Sequence, residues 1–242
     1  MSPELNSPSA IALSWPIRRL RSELRLKLVL TFVLNLWVYV PYHFLQWHHF
    51  FPPAAMHAGY FDRLVPFSDK AVWIYLSIYL LMPIGPFLMV RRQEIIRYAV
   101  GIMLISALAD FVFVFLPTWC PRPDANRTTA AYRMLTAIDN PFNAFPSLHA
   151  AFAVFSALCA GRVLRELRTR AVLTGAVWLW TFLILFATLA TRQHVMADVV
   201  GGSVLAAGVY IYVFRQWKIV PETKTDLQTV TANRTRSNSP AL

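Results

Sequence analysis

The chain has 242 residues, of which 57% are hydrophobic and only 14% charged, and its mean hydropathy is +0.46. Those values exclude an ordinary soluble domain and fit a chain that gives much of its apolar surface to lipid. The formal charge of +11 does not indicate nucleic-acid binding, because the Lys and Arg residues lie between apolar runs and not along one face.

Residues 1–25 are polar or mixed and precede the first apolar run, so they lack signal-peptide order and the run reads as an uncleaved anchor. A helix needs roughly 20 apolar residues to cross a bilayer. Six stretches qualify: about 26–45, 71–90, 98–117, 148–164 (the shortest), 171–190 and 195–214. The expected architecture is all-α, a polytopic domain over 26–215, with a cytoplasmic segment 1–25 and a polar tail 216–242 read as disordered cytoplasmic chain. Six spans place both termini on one side. Segments on that side carry 17 of the 23 Lys and Arg, and segments on the other carry 6. The positive-inside rule therefore makes both termini cytoplasmic and the other face periplasmic or lumenal. The loop 46–70 mixes aromatics with His and Pro and reads as an outer interfacial segment.

Three polar mouths fall on the outer face. After the third span comes LPTWCPRPD, where Arg122 stands between Pro121 and Pro123. A stiffly held guanidinium suits bidentate phosphate binding, and it equally suits anchoring to lipid headgroups. The fourth span opens with FPSLH. Ser147 is a good N-cap, the helix start offers free N–H groups and a positive dipole end, and His149 lies in the first turn. A capped helix with an interfacial His explains the same residues. The sixth span opens with TRQHVMAD. His194 and Asp198 are one turn apart on one face, so Asp198 can accept from one imidazole nitrogen and leave the other as nucleophile or base. A rim ion pair is the plainer alternative.

Taken together, Arg122, Ser147, His149, Arg192, His194 and Asp198 suit phosphoryl transfer without a metal. Arginines and N–H groups would neutralise phosphate oxygens, one His would attack phosphorus, and the other would protonate the leaving oxygen. No carboxylate cluster for magnesium stands among them, so no metal and no cofactor is expected.

The order Pro-Arg-Pro, Pro-Ser-x-His, then Arg and His-x-x-x-Asp followed by Gly resembles the type 2 phosphatidic acid phosphatase superfamily, the lipid phosphate phosphatases, over about residues 70–215. The resemblance implies six spans with the motifs outside and a lipid phosphate substrate. It also implies His194 as nucleophile, Asp198 as its partner, His149 as general acid, and Arg122, Ser147 and Arg192 as phosphate ligands. Two positions depart from the family's pattern. Phe115 stands where it has a Lys seven residues before the Arg. Thr188 stands where it has an Arg six residues before the His, with Arg192 only two before it. The short form TRQHVMAD with FPSLH is similar to the branch that includes inositol phosphorylceramide synthases, which implies transfer of a headgroup between lipids as the alternative to hydrolysis.

Other residues read as structural. Asp110 lies roughly 18 Å below Arg122 along the third span, too deep for the same phosphate, and is expected to pair with a neighbouring span. His48, His49 and His57 have poor metal-ligand spacing. Gly201, Gly202 and Gly208 give the sixth span a small-residue face for close packing. Cys120 and Cys159 lie at opposite depths and do not suit a disulfide. Asn126-Arg127-Thr128 is an acceptor sequon. A transporter would carry polar residues at the midplane, where only Asp110 fits. A scaffold without chemistry is disfavoured by the intact His149, His194 and Asp198.

Overall fold

The computed structural model describes residues 17–124 and 128–215. The tail 216–242, residues 1–16 of the N-terminal segment and Asn126 and Arg127 of the sequon lie outside the described residues. The chain is an all-α membrane protein, and among the described residues six helices are long and apolar enough to span a bilayer: Leu24–Trp47, Asp69–Leu88, Arg92–Phe115, Leu148–Glu166, Ala171–Ala190 and Met196–Phe214. Large apolar side chains such as Phe32, Leu80, Phe182 and Ile211 stand exposed around the bundle, as expected of surfaces solvated by lipid.

The fourth span is the hub. It packs against the second, third, fifth and sixth, and Ala150, Ala151, Ala153, Ala157 and Ala160 are fully buried. Small side chains let neighbouring backbones approach, which in lipid supplies the packing that drives helix association. These alanines and the charges at its far end also make the span look short by hydropathy. It continues to Glu166, where Arg162 Nε meets Glu166 Oε1 at 3.1 Å.

The second span is the irregular one. A 3-10 turn, Asp69–Ala71, leads into Val72–Leu76, Ile78–Leu81 and Ile84–Leu88. The break at Ser77 is held by its own hydroxyl, which donates to the Ile74 carbonyl at 2.6 Å and accepts from Trp180 Nε1 at 2.8 Å. Pro83 and Pro86 remove two further helix donors. Asp110 finds its partner within its own helix, not on a neighbouring span: Ser106 Oγ donates to it at 3.3 Å.

The loop 46–70 is more built than an interfacial segment requires. Ala54–Ala55 pairs in parallel with Thr118–Trp119 beyond the third span, a short helix forms at Tyr60–Leu64, and Trp47, Phe50 and Phe61 remain exposed. His48 stacks on Phe44 and His49 packs on Phe142. Both cysteines are free and buried.

Candidate active site

Chain direction brings the end of the third span, the start of the fourth and the turn between the fifth and sixth to one end of the bundle. There the fourth and sixth spans approach most closely. A Cβ on Gly202 would lie 2.2 Å from the Ser147 carbonyl oxygen and one on Gly201 would lie 2.5 Å from the Phe145 ring, whereas Gly208 faces open space. The Ser147 amide donates to the Asp198 carbonyl at 3.0 Å, tying the two helix starts together. Ser147 is the N-cap of the fourth span, its hydroxyl accepting from the Ala150 amide at 3.2 Å.

The turn before the sixth span folds back on the fifth. Thr188, one of the two departures noted above, offers its carbonyl to the amides of Gln193 and His194. The His194 ring meets the segment that leads into the fourth span. His194 is buried, and its Nδ1 lies 3.1 Å from the Ala144 carbonyl and 3.5 Å from Asp198 Oδ2. A carbonyl only accepts, so Nδ1 carries the proton and Nε2 holds the lone pair. Asp198 is fully buried. Its Oδ2 accepts from the Val195 amide at 3.0 Å, and its Oδ1 has no partner among the described residues. It therefore caps its own helix while standing beside the imidazole.

The His149 ring lies across the gap, 6.4 Å centroid to centroid from His194. Tyr75 of the second span stacks on it at 4.1 Å and places a hydroxyl 3.1 Å from Nδ1. When that hydroxyl donates, the proton of a neutral His149 sits on Nε2. Two imidazoles separated by about one tetrahedral group, one set as base and one as acid, can work on opposite sides of a phosphorus atom.

Arg122 reaches this end from the third span. Its terminal nitrogens donate to the carbonyls of Asp139 and Asn140, and one lies 3.5 Å from Asp139 Oδ2. Its Nε is buried without a partner among the described residues, a donor left for an oxygen that is not the protein's own. Asp139 is in turn held by the Tyr42 hydroxyl at 3.1 Å and by Gln46 Nε2 at 2.6 Å. Arg192 points elsewhere. Its guanidinium donates to the carbonyls of Asp62 at 2.9 Å and Val65 at 2.8 Å, fastening that segment to the turn before the sixth span. Phe115 is half exposed and its ring lies against those of Phe51 and Phe111. Burial, with the charge of Asp198 adding to it, pushes the Cys120 thiol up to about 12, so it is no rival nucleophile at neutral pH.

The family comparison is decisive: the model of the PAP2 superfamily matches residues 42–212. This chain belongs to the PAP2 superfamily. No curated protein and no solved structure matches it. Membership makes the protein a phosphatase-type enzyme of phosphate esters in a membrane. The matched segment begins at Tyr42, so it contains every residue of the site described above.

Three residues of this PAP2 site carry no signal in the sequence. Asp62 caps the sixth span from 134 positions away, its Oδ1 accepting from the Met196 amide at 2.6 Å. Tyr75 is one aromatic among many in an apolar run. Asp139 lies in a loop with no motif around it. Only the fold shows that each touches a motif residue or its helix.

Proposed function

We propose that the protein cleaves a lipid phosphate ester through a covalent phosphohistidine on His194, at the outer face of the membrane. The observation that carries the reading is the facing pair of imidazoles, with His194 Nδ1 on the Ala144 carbonyl and the rings 6.4 Å apart. In the first step His194 Nε2 forms a bond to phosphorus, the ester P–O bond breaks, and a His149 imidazolium, its Nδ1–H turned to the Tyr75 hydroxyl oxygen, gives its Nε2 proton to the leaving alkoxide and is left neutral. In the second, His149 takes a proton from water, the water oxygen bonds phosphorus, and the P–N bond breaks to release phosphate. The Arg122 Nε and the backbone amides heading the fourth span face the phosphate oxygens, whose charge grows in the transition state. Arg192 serves the site by holding the 62–65 backbone against the turn that carries His194, and reaches phosphate only on leaving those carbonyls. The bias of positive charge supports placing this end outside and the termini in the cytoplasm.

A second reading replaces water by a lipid alcohol, so that a headgroup passes from lipid to lipid. It is favoured by the cavity that begins at His149 and is almost wholly apolar, a place for a hydrophobic acceptor beside the base. One assay separates the two. Purified protein receives lipid phosphates and phosphodiesters with and without ceramide or diacylglycerol. Free phosphate without acceptor means hydrolysis. A new lipid product with little free phosphate means transfer.

Among the described residues no three His, Cys, Asp or Glu side chains converge as metal ligands. Turnover is accordingly expected to survive EDTA, and its full loss, restored by a divalent ion, would sink the histidine-only mechanism. Asp198→Asn is expected to slow turnover by about 10- to 1,000-fold, well short of abolishing it. The Ala144 carbonyl is the nearer acceptor and keeps the proton on Nδ1, while only the carboxylate charge beside the imidazole is lost. A loss as deep as that of His194→Ala would show that the carboxylate, and not the carbonyl, sets the tautomer.

A further inference from the structure

A cavity of about 240 Å³ runs down the inside of the first span, from His149 and Tyr42 at the site end to Lys27 at the other. Fifteen residues of helix separate Tyr42 from Lys27, so the cavity is about 22 Å long. It is smaller than the roughly 300–1,000 Å³ of pockets that enclose a whole drug-sized ligand. A long, narrow, apolar space of this kind has the shape of one hydrocarbon chain.

Its walls are less polar than their residue names imply. The Thr31 hydroxyl donates to the Lys27 carbonyl at 2.8 Å and the Asn35 amide to the Thr31 carbonyl at 2.7 Å. The Thr31 hydroxyl and the Asn35 amide nitrogen are thus engaged on their own helix, and Leu34, Ile102 and Phe152 line the space beside them. The far end is closed by Lys27, which is buried and donates to the carbonyls of Arg19 at 2.7 Å and Phe87 at 3.0 Å. That cation stops an apolar chain.

The cavity also has a side door. The first span packs on the third. Toward the second it is bridged by Lys27 at the closed end and, farther up, by the Tyr39 hydroxyl donating to that of Tyr79 at 2.9 Å. Between these bridges Thr31 and Asn35 line the space and are yet exposed, so it opens sideways toward the acyl region of the bilayer. The broken helix of the second span forms the opposite jamb.

We propose that this groove takes one hydrocarbon chain of the lipid whose phosphate lies between His149 and His194, admitted between the first and second spans under the Tyr39–Tyr79 bridge. The assignment rests on the proposed lipid phosphate chemistry and adds to it a chain-length limit set by Lys27. A second chain, where the lipid has one, stays in the bilayer.

The test compares hexadecyl phosphate with para-nitrophenyl phosphate, which has no chain, in detergent micelles. Leu34→Trp puts a ring in the groove, and Val29→Trp puts one on the exposed side of the same helix. Leu34→Trp is expected to lower kcat/KM for hexadecyl phosphate about tenfold or more by misplacing the phosphate, and to leave para-nitrophenyl phosphate within about twofold. Val29→Trp should change neither. Unchanged turnover of both substrates by Leu34→Trp overturns the proposal. An equal fall in both would report damage to the fold. The wild-type chain then decides, labelled with a hexadecyl phosphate carrying a diazirine near its tail. Label on Leu30, Phe87 or Ile95, the lining toward Lys27, sustains the groove, and label confined to Val29 and other outward residues overturns it. The same labelling applies if the wild type hydrolyses neither ester, an outcome that would count against hydrolysis and leave the groove to be judged by where the label falls.

Discussion

Replacing His194 by alanine is expected to reduce phosphate release by about 10,000-fold or more, to the level of a protein-free control. The size follows from the role: without the imidazole the site keeps its acid and its phosphate donors but loses the nitrogen that attacks phosphorus. Cys120 is held as a thiol by its burial, and His149 is committed to Tyr75 by both stacking and a hydrogen bond. The substitution removes a buried ring, its hydrogen bond to the Ala144 carbonyl and its contact with Asp198, so its cost to the fold is about 1–3 kcal/mol. A melting curve in detergent should therefore show a folded protein, melting no more than several degrees below wild type. Brief exposure of the wild type to substrate labelled with ³²P, quenched in alkali, should leave label on the chain that is lost in acid, as a phosphorus–nitrogen bond would be. His194→Ala should carry none. Residual turnover within tenfold of wild type, or label that persists in the variant, would remove His194 from the centre of the mechanism.

The parts of this protein that could be read from the chain are those written in local spacing. Hydropathy marks six runs because a helix must be apolar over its full membrane length, and six spanning helices are found. His194 and Asp198 share a face because they are four apart, and they meet at 3.5 Å. Spacing says less where two causes give one pattern. Arg192, beside His194 in sequence, sits in the left-handed region with φ of 55°, and that turn carries its side chain to the 62–65 loop. Asp198 was legible as a partner of the imidazole, but its bond to the Val195 amide is the shorter, because a carboxylate in the first turn of a helix meets unsatisfied N–H groups. Gly208 belongs to the same small-residue run as Gly201 and Gly202, yet only those two meet a neighbour. The helix rotates by 100° per residue, and six residues carry Gly208 off the contact. Contacts of long range were out of reach altogether. Asp62, Tyr75 and Asp139 are ordinary loop and span residues until the fold sets them against the site.

Those two glycines yield the second large expectation. Gly202→Ala should lower turnover by about 100-fold and destabilise the protein by about 1–3 kcal/mol. The added carbon would lie 2.2 Å from the Ser147 carbonyl oxygen, and 3.1 Å from both the Ser147 carbonyl carbon and the Ala151 amide nitrogen. All three are backbone atoms of the fourth span, so no side chain can rotate away and the two helix starts must part. They part where the Ser147 amide holds the Asp198 carbonyl, and the histidines ride on these same two starts. A few tenths of an ångström per helix then widens the 6.4 Å gap across which phosphorus must meet both rings. Gly201→Ala should be milder, since what its added carbon meets is the Phe145 ring, a side chain that can shift. Gly208→Ala meets nothing within 4 Å and should leave turnover unchanged, with melting unchanged or raised, because alanine favours a helix over glycine by up to about 1 kcal/mol. The graded series separates close approach from helix propensity: if all three variants behave alike, the spacing of the two helix starts is not what sets the catalytic geometry.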